Sequence, residues 1–249
     1  MSKVVVFLKP FELTITSGCV QVLGKESVKY YPTLTSTSFD LHALSYCLCH
    51  SDCFWRMHIS LKNLSSLFSD CCVSYRGCIT HLCLDDISEN NCQLFFTLPA
   101  RIFEKTCYLR LVTLDEPGED CAVQKVLSDG RFTNLKMFTI FNGYGQICHT
   151  KSLLECLCRF HSKLVHIVIF NSLHSDLSAL CKYIQSRSSE LTLSLYESIF
   201  TNNSLHLLIS TIAFSKAVTH LDLARCALSV EEFEMLSVAL SANTSLKSL

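Results

Sequence analysis

The sequence predicts an α/β solenoid of stacked strand–turn–helix units, with a parallel sheet on the inner, concave face and helices on the outer, convex one. Three observations predict it. An apolar-x-x-apolar-x-apolar triplet recurs along the chain, its period lies near 28 residues, and apolar pairs four residues apart follow several of the triplets. The 249 residues are 49% hydrophobic and 17% charged, with a formal net charge of -1. That mix can bury a large core and excludes intrinsic disorder. Only 7 Gly and 4 Pro occur, which excludes collagen-like and Pro-rich architectures.

The triplet appears as Ile79/Leu82/Leu84, Leu109/Val112/Leu114, Leu135/Phe138/Ile140, Leu164/Ile167/Ile169 and Val218/Leu221/Leu223. Glu190/Leu193/Leu195 has one polar member, and Arg56/Ile59/Leu61 is a weaker version. The starting residues 56, 79, 109, 135, 164, 190, 218 and 246 are 23, 30, 26, 29, 26, 28 and 28 apart. Alternate strand residues share a face, so the last two members of each triplet point inward and the residues between them point out. Leu82, Val112, Phe138, Ile167, Leu193 and Leu221 are therefore expected side by side on adjoining strands.

Three residues past each triplet stands a turn position, occupied by Ile87, Pro117, Gly143, Ser172, Ser198 and Cys226. Helices are expected next, where Leu153/Leu157, Leu180/Ile184, Leu208/Ile212 and Leu236/Leu240 place apolar residues one turn apart. One unit cannot bury its own apolar stripe, but stacked units share a core. Each buried Leu or Ile there contributes roughly 1.5–3 kcal/mol. Strands joined by helical crossovers must run parallel.

This reading divides the chain at residue 38. Residues 39–249 hold about seven repeats. Residues 1–38 read as an N-terminal cap or the remnant of a preceding domain, with Val4–Leu8 as an extra strand and Phe11–Leu23 lacking clear periodicity. Pro32 opens a turn into the first repeat helix, with Ser38 or Asp40 as its N-cap. At the other end Ser245–Leu249 stops within a new strand. That predicts further repeats beyond it, or another chain paired at the edge.

Leu221-x-Leu223-x-x-Cys226-x-Leu228, followed by Leu236-x-x-x-Leu240-x-x-Asn243-x-x-Leu246-x-x-Leu249, resembles the ribonuclease-inhibitor-type leucine-rich repeat. The segment Asp40–Leu48, continuing to Ser51-Asp52-Cys53-Phe54-Trp55, resembles the repeats that end NOD-like receptors. The resemblance implies a horseshoe fold and a non-enzymatic role in protein binding, as a sensor or autoinhibitory element of innate immunity. An enzyme inhibitor of the ribonuclease-inhibitor kind, or an accessory to GTP hydrolysis, are the alternatives it leaves. The second would use an arginine at the concave rim, and Arg110 and Arg225 are available.

Chemical motifs are sparse. Gly24-Lys25-Glu26-Ser27 lacks the earlier Gly and the Ser or Thr after Lys that a phosphate loop requires. No Gly-x-Ser-x-Gly elbow occurs, and no cysteine-protease signature surrounds the Cys148-His149 pair. Cys47, Cys49, His50 and Cys53 carry zinc-type ligands without the two separated pairs of a zinc motif, so they read as packing, as do Cys71, Cys72, Cys78 and Cys83. Cys158 and His161 share a helix face, but two ligands do not close a metal site. No catalytic, cofactor or metal site is expected.

The sixteen cysteines follow an apolar run of five, Val4–Leu8, shorter than the roughly seven to fifteen residues of an export signal. They are expected as reduced thiols in the cytoplasm. No apolar stretch reaches the roughly eighteen residues of a membrane span. A sequence pI near 6.8 offers neither nucleic acid nor an anionic membrane an electrostatic footing.

Function is therefore sought on the outward positions of the sheet, which form three columns. The first runs His58, His81, Leu111, Met137, His166, Thr192, His220, and its histidines suggest a pH-sensitive surface. The second runs Ser60, Cys83, Thr113, Thr139, Val168, Ser194, Asp222. The third runs Lys62, Asp85, Asp115, Phe141, Phe170, Tyr196, Ala224. Aromatic residues dominate interface hot spots, so Phe141, Phe170 and Tyr196 are the expected protein-binding patch. Asp85, Asp115, Met137, His166 and His220 are expected to surround it.

Overall fold

The computed structural model describes residues 11–16, 19–24, 54–68, 79–113, 122–142 and 148–249. Its elements run β1 (Phe11–Thr16), β2 (Cys19–Gly24), β3 (Phe54–Ser60), α1 (Leu61–Phe68), β4 (His81–Ile87), α2 (Cys92–Thr97) and a 3-10 turn at Ala100–Ile102. Then follow β5 (Tyr108–Thr113), α3 (Ala122–Ser128), β6 (Met137–Asn142), β7 (Cys148–His149), α4 (Lys151–Phe160), β8 (His166–Phe170) and β9 (Ser172–His174). The chain continues through α5 (Ser178–Gln185), β10 (Leu191–Tyr196), β11 (Ile199–Phe200), α6 (Asn202–Phe214), β12 (Val218–Asp222) and α7 (Val230–Ala242).

This is an α/β fold. A nine-stranded sheet has the order β12-β10-β8-β6-β5-β4-β3-β1-β2. Its six strands from β4 to β12 are all parallel to their neighbours and alternate with helices. A helical return between sequential strands forces that parallel pairing. The helix pairs Leu153/Leu157, Leu180/Ile184, Leu208/Ile212 and Leu236/Leu240 fall within α4, α5, α6 and α7, and all except the half-buried Leu240 are buried. No helix among the described residues is long and apolar enough to cross a membrane.

One register differs from expectation. Across the sheet Leu82 faces Leu109, Leu109 faces Phe138, and the row continues through Ile167, Leu193 and Leu221. Leu109, not Val112, holds the inward place on β5. Both phases of the segment Leu109-Arg110-Leu111-Val112-Thr113-Leu114 carry apolar residues, but Arg110 falls in the phase of Val112 and Leu114, which marks that phase as the outward one. The position three before Leu109 is Thr106, whose polarity hides the true triplet. Thr106 is nevertheless fully buried, because its Oγ1 donates to the Ile79 carbonyl at 3.4 Å. A hydroxyl with a backbone acceptor can sit where a leucine is expected.

With this register the inward residues are 27, 29, 29, 26 and 28 apart, more even than the expected series. Two further members shift. Met57 and Ile59 pair with Leu82 and Leu84, whereas Leu61 begins α1. Glu190 is exposed and bonded to Lys247, while Leu191 is the buried residue opposite Val218. Leu82, Leu109, Phe138, Ile167, Leu193 and Leu221 are each at most 2% exposed and join the helix residues in one apolar cluster.

Side chains tie one coil to the next. Arg131 donates to the carbonyls of Phe95, Phe96 and Leu98 around the end of α2, stacks over the Phe95 ring and pairs with Asp129. Carbonyls at a helix C-terminus lack intrahelical partners, and a guanidinium fork suits them. Tyr183 Oη donates to the carbonyls of His161 and Leu164. Asn243 Nδ2 donates to the carbonyls of Ile212 and Ser215 at 2.6 and 3.0 Å, while its Oδ1 accepts from the amides of Ser245 and Leu246. Helix α7 starts with a capping box between Ser229 and Glu232.

A second sheet, β7-β9-β11, is not foreseen from the sequence. Its strands have two or three residues, too few for a periodic signal. At its centre His174 is fully buried, with Nδ1 2.6 Å from Thr150 Oγ1 and Nε2 3.1 Å from Ser198 Oγ. Three successive coils thus share one imidazole. The turn positions Ser172 and Ser198 are buried here, and Cys226 donates its thiol to the Leu195 carbonyl at 2.8 Å.

Phe11–Leu23 also departs from expectation. It forms antiparallel β1 and β2, and β1 adds in parallel to β3. Phe11, Leu13 and Ile15 alternate with Glu12, Thr14 and Thr16, and a Ser17-Gly18 pair separates the runs, which is a hairpin signal. Val4–Leu8, the Ser38 and Asp40 cap, Cys47–Cys53, Cys71, Cys72, Cys78, Leu114, Asp115, Pro117 and Gly143 lie outside the described residues.

Candidate functional site

The face of the sheet opposite the core carries the outward residues, and the register sets their columns. The first reads His81, Tyr108, Met137, His166, Thr192, His220. The second reads Cys83, Arg110, Thr139, Val168, Ser194, Asp222. In the third, Val112, Phe141, Phe170 and Tyr196 are neighbours. Three expectations for β5 are thereby corrected. Leu111 is fully buried in the core, Tyr108 takes its place, and Arg110 stands where Thr113 was expected. Lys62 lies in α1 rather than in the third column.

Met137, His166, His220, Phe170, Tyr196 and Asp85 are half-buried, and Phe141 is 38% exposed. Asp85 lies on β4 opposite Ser60, but the pairing of β4 with β5 shifts between Leu84 and Ile87. Asp85 therefore does not stand in line with the rings. Cys83, Thr139 and Ser194 of the middle column are buried although they point away from the core. They are short, and longer side chains on both flanking columns rise above them.

The rings touch. Phe141 and Phe170 have centroids 5.9 Å apart at 60°, and Phe170 and Tyr196 are 5.3 Å apart at 59°. Tilted contacts of this kind match the positive edge of one ring to the negative face of the next. Arg225 extends the ladder, its guanidinium 5.4 Å from the Tyr196 ring centre and 2.8 Å from Glu197 Oε1.

Just past the rings the backbone turns left-handed, with φ of 50° at Asn171, 53° at Glu197 and 59° at Arg225. Such angles cost a residue with a Cβ roughly 1–2 kcal/mol. They are held by bonds between coils: the amide of Asn171 donates to Tyr196, and that of Glu197 to Ala224, both at 3.0 Å. The same turn, repeated, fixes where each strand ends and where its ring stands.

Electrostatics on this face are mild. Burial holds the His166 imidazole below its ordinary range, and the charge of His220, two strands along the same column, adds to that. Asp222 accepts from Ser194 Oγ and from the Ala224 amide, each at 2.9 Å. At the other end of the first column His81 and Tyr108 lie 5.5 Å apart.

Two other places were weighed as sites. The hydroxyl–imidazole–hydroxyl row of Thr150, His174 and Ser198 resembles catalytic machinery in composition, but all three are at most 1% exposed. Both ring nitrogens are already engaged, and burial pushes the His174 pKa down to about 4. Between α4 and α5 a groove of about 400 Å³ is lined by Cys158, Arg159, Lys182, Tyr183 and Ser186 among others. Its thiol is a poor nucleophile, since burial, with Cys181 and Cys156 nearby, pushes the Cys158 pKa up to about 12. Among the described residues no group of three or more His, Cys, Asp or Glu side chains is placed to hold a metal ion.

The sequence reading missed Tyr108, Arg110 and Val112 as outward residues. The signal was present in the spacing: a step of 27 rather than 30 residues from Ile79 would have selected Thr106, Leu109 and Leu111. No family model matches the chain, and no curated protein matches it.

Proposed function

We propose that these coils form a leucine-rich-repeat solenoid of the ribonuclease-inhibitor type, with the open face of the sheet as its concave wall. The protein is then a non-enzymatic scaffold that binds a protein partner there, in the manner of the sensing or autoinhibitory repeats of NOD-like receptors. The single observation that carries the reading is the Phe141–Phe170–Tyr196 ladder. Three rings on adjacent strands hold one another in place without being taken into the core. Rings already fixed in place lose little entropy when a partner covers them, which is what makes aromatic anchors effective. The near-even inward spacing and the Cys226 and Asn243 bonds between coils support the repeat assignment. The free thiols of Cys83, Cys92, Cys107, Cys156, Cys158, Cys181 and Cys226 fit a reducing, cytoplasmic setting.

The test is affinity capture with quantitative mass spectrometry, comparing wild type with the Phe141→Ala/Phe170→Ala/Tyr196→Ala variant. The expected outcome is loss of specific partners with an unchanged cooperative melting transition. A variant that folds normally and retains the same partners at the same yield sinks the proposal.

A further inference from the structure

Arg110 stands in the middle column of the open face, paired in register with Cys83 on one side and Thr139 on the other. Among the described residues it has no hydrogen-bond or ion-pair partner, and its Nε is sealed from water without an acceptor. The other arginines whose side chains are described are engaged. Arg131 binds carbonyls and Asp129, Arg159 stacks over Phe160, Arg187 bonds Ser162 and Tyr183, and Arg225 pairs with Glu197. Arg101 has a partner too. Arg101 and Arg187 also leave Nε without an acceptor, but their side chains are engaged elsewhere. Arg110 is half-buried with its Nη groups unengaged too, so an anionic acceptor reaching those groups from outside the chain is the natural complement.

The position gives that acceptor a neighbour. Thr139 lies opposite Arg110, and Phe141 is two residues further along the same strand. From strand rise and strand spacing, Arg110 and Phe141 stand about 8 Å apart at the backbone. An extended peptide spaces alternate side chains by roughly 6.6 Å. One residue can therefore reach the rings while another, two or three positions away, reaches Arg110.

We propose that Arg110 anchors a carboxylate, so that the open face takes a peptide segment carrying an Asp or Glu two or three residues from an aromatic side chain. This rests on the protein-binding reading of the ring ladder and names its partner's chemistry. The planar guanidinium offers its two Nη groups, which unlike Nε are not sealed from water, as parallel donors, the pattern a carboxylate accepts with both oxygens. The apolar columns around it exclude water and strengthen such a bond. Arg110 is the specificity-setting charge, and the rings supply the apolar contact.

The experiment is selection of a phage-displayed random 12-residue peptide library, with no free peptide C-terminus, on the full chain and on Arg110→Gln. Wild type is expected to enrich peptides with an aromatic residue and an Asp or Glu two or three positions away. Arg110→Gln is expected to keep the aromatic preference and lose the acidic one. The best wild-type peptide should bind Arg110→Gln about tenfold more weakly, and exchanging its acid for the amide should cost wild type about the same while costing the variant nothing further. Aromatic enrichment without acids, or equal affinity for both proteins, overturns this inference and leaves the ring site standing. No enrichment on wild type overturns both. If glutamine prevents folding, Arg110→Lys keeps the charge without the fork, and is expected to weaken binding several-fold; undiminished affinity there overturns the paired-donor geometry.

Discussion

The inward row Leu82–Leu109–Phe138–Ile167–Leu193–Leu221 and the outward row Val112–Phe141–Phe170–Tyr196 share the strands β5, β6, β8 and β10. Both are apolar, and neighbouring members of each lie on adjacent strands. The inward residues are at most 2% exposed, whereas Phe141 keeps 38% of its surface in solvent. The difference lies in the parity of one residue along each strand. The same kind of side chain holds the coils together on one face and stands ready for a partner on the other. On β5 both parities carry apolar residues, and the one charge, Arg110, marks the outward side. The pairing with β4 and β6 agrees with it.

The comparison is most directly broken on β5. Leu109→Ala is expected to lose about 2–5 kcal/mol of unfolding free energy, the range for deleting a buried leucine. Val112→Ala, on the half-exposed face, is expected to lose about 1 kcal/mol or less. Urea denaturation of the two variants checks the pair. Equal losses would mean that the two faces are not distinct at this strand.

A second test sets a buried imidazole against a surface one. The His174 pKa is lowered to about 4 by burial, against about 6.5 for a solvated histidine. Above both values neither state is protonated and His174 makes no pH-dependent contribution. As pH falls from about 6.5 to about 4, only the unfolded chain gains a proton there, so folding stability declines through that window and then levels off. Two and a half units correspond to about 3 kcal/mol. His174→Gln should flatten this part of the stability–pH curve, read by urea melts from pH 7 to pH 4. The His166 pKa, lowered by burial and by His220 on a half-open face, should rise by NMR titration when His220→Ala removes that second imidazole from the column. A His174 resonance that titrates near pH 6.5 would show that the network opens.

The smallest effect is expected at the end of the ring ladder. Arg225 is exposed, so its pair with Glu197 is screened by water and contributes little to folding. Arg225→Ala should leave the melting temperature unchanged and weaken binding at the rings only a few-fold, through loss of the cation over Tyr196. A large stability loss would mean that the outward ladder is part of the core after all.

Much of this organisation was readable from the chain. Period, parallel pairing and helix placement follow from the triplets and the four-apart leucines, because those patterns are local and repeat often enough to exceed chance. The ring column was readable for the same reason, since Phe141, Phe170 and Tyr196 each stand one residue beyond the inward pairs Phe138/Ile140, Ile167/Ile169 and Leu193/Leu195. What escaped notice involves polar residues in buried places. Thr106 concealed a triplet because its hydroxyl finds the Ile79 carbonyl a full coil away. Thr150, His174 and Ser198 come from three coils, and nothing in their separate surroundings announces that they meet. The β1–β2 hairpin was present as alternation around Ser17-Gly18 but lacked the repeat's period.

The amino-acid sequence alone determined that apolar strands and helices alternate at intervals of about 28 residues, because side-chain periodicity is written along the chain. The tertiary structure alone decided which polar residues find buried partners, and that Arg110 is left with an open donor beside the rings. Those outcomes depend on groups 24 to 27 residues apart being brought within hydrogen-bond reach, and strand register sets that distance, whatever the residue type.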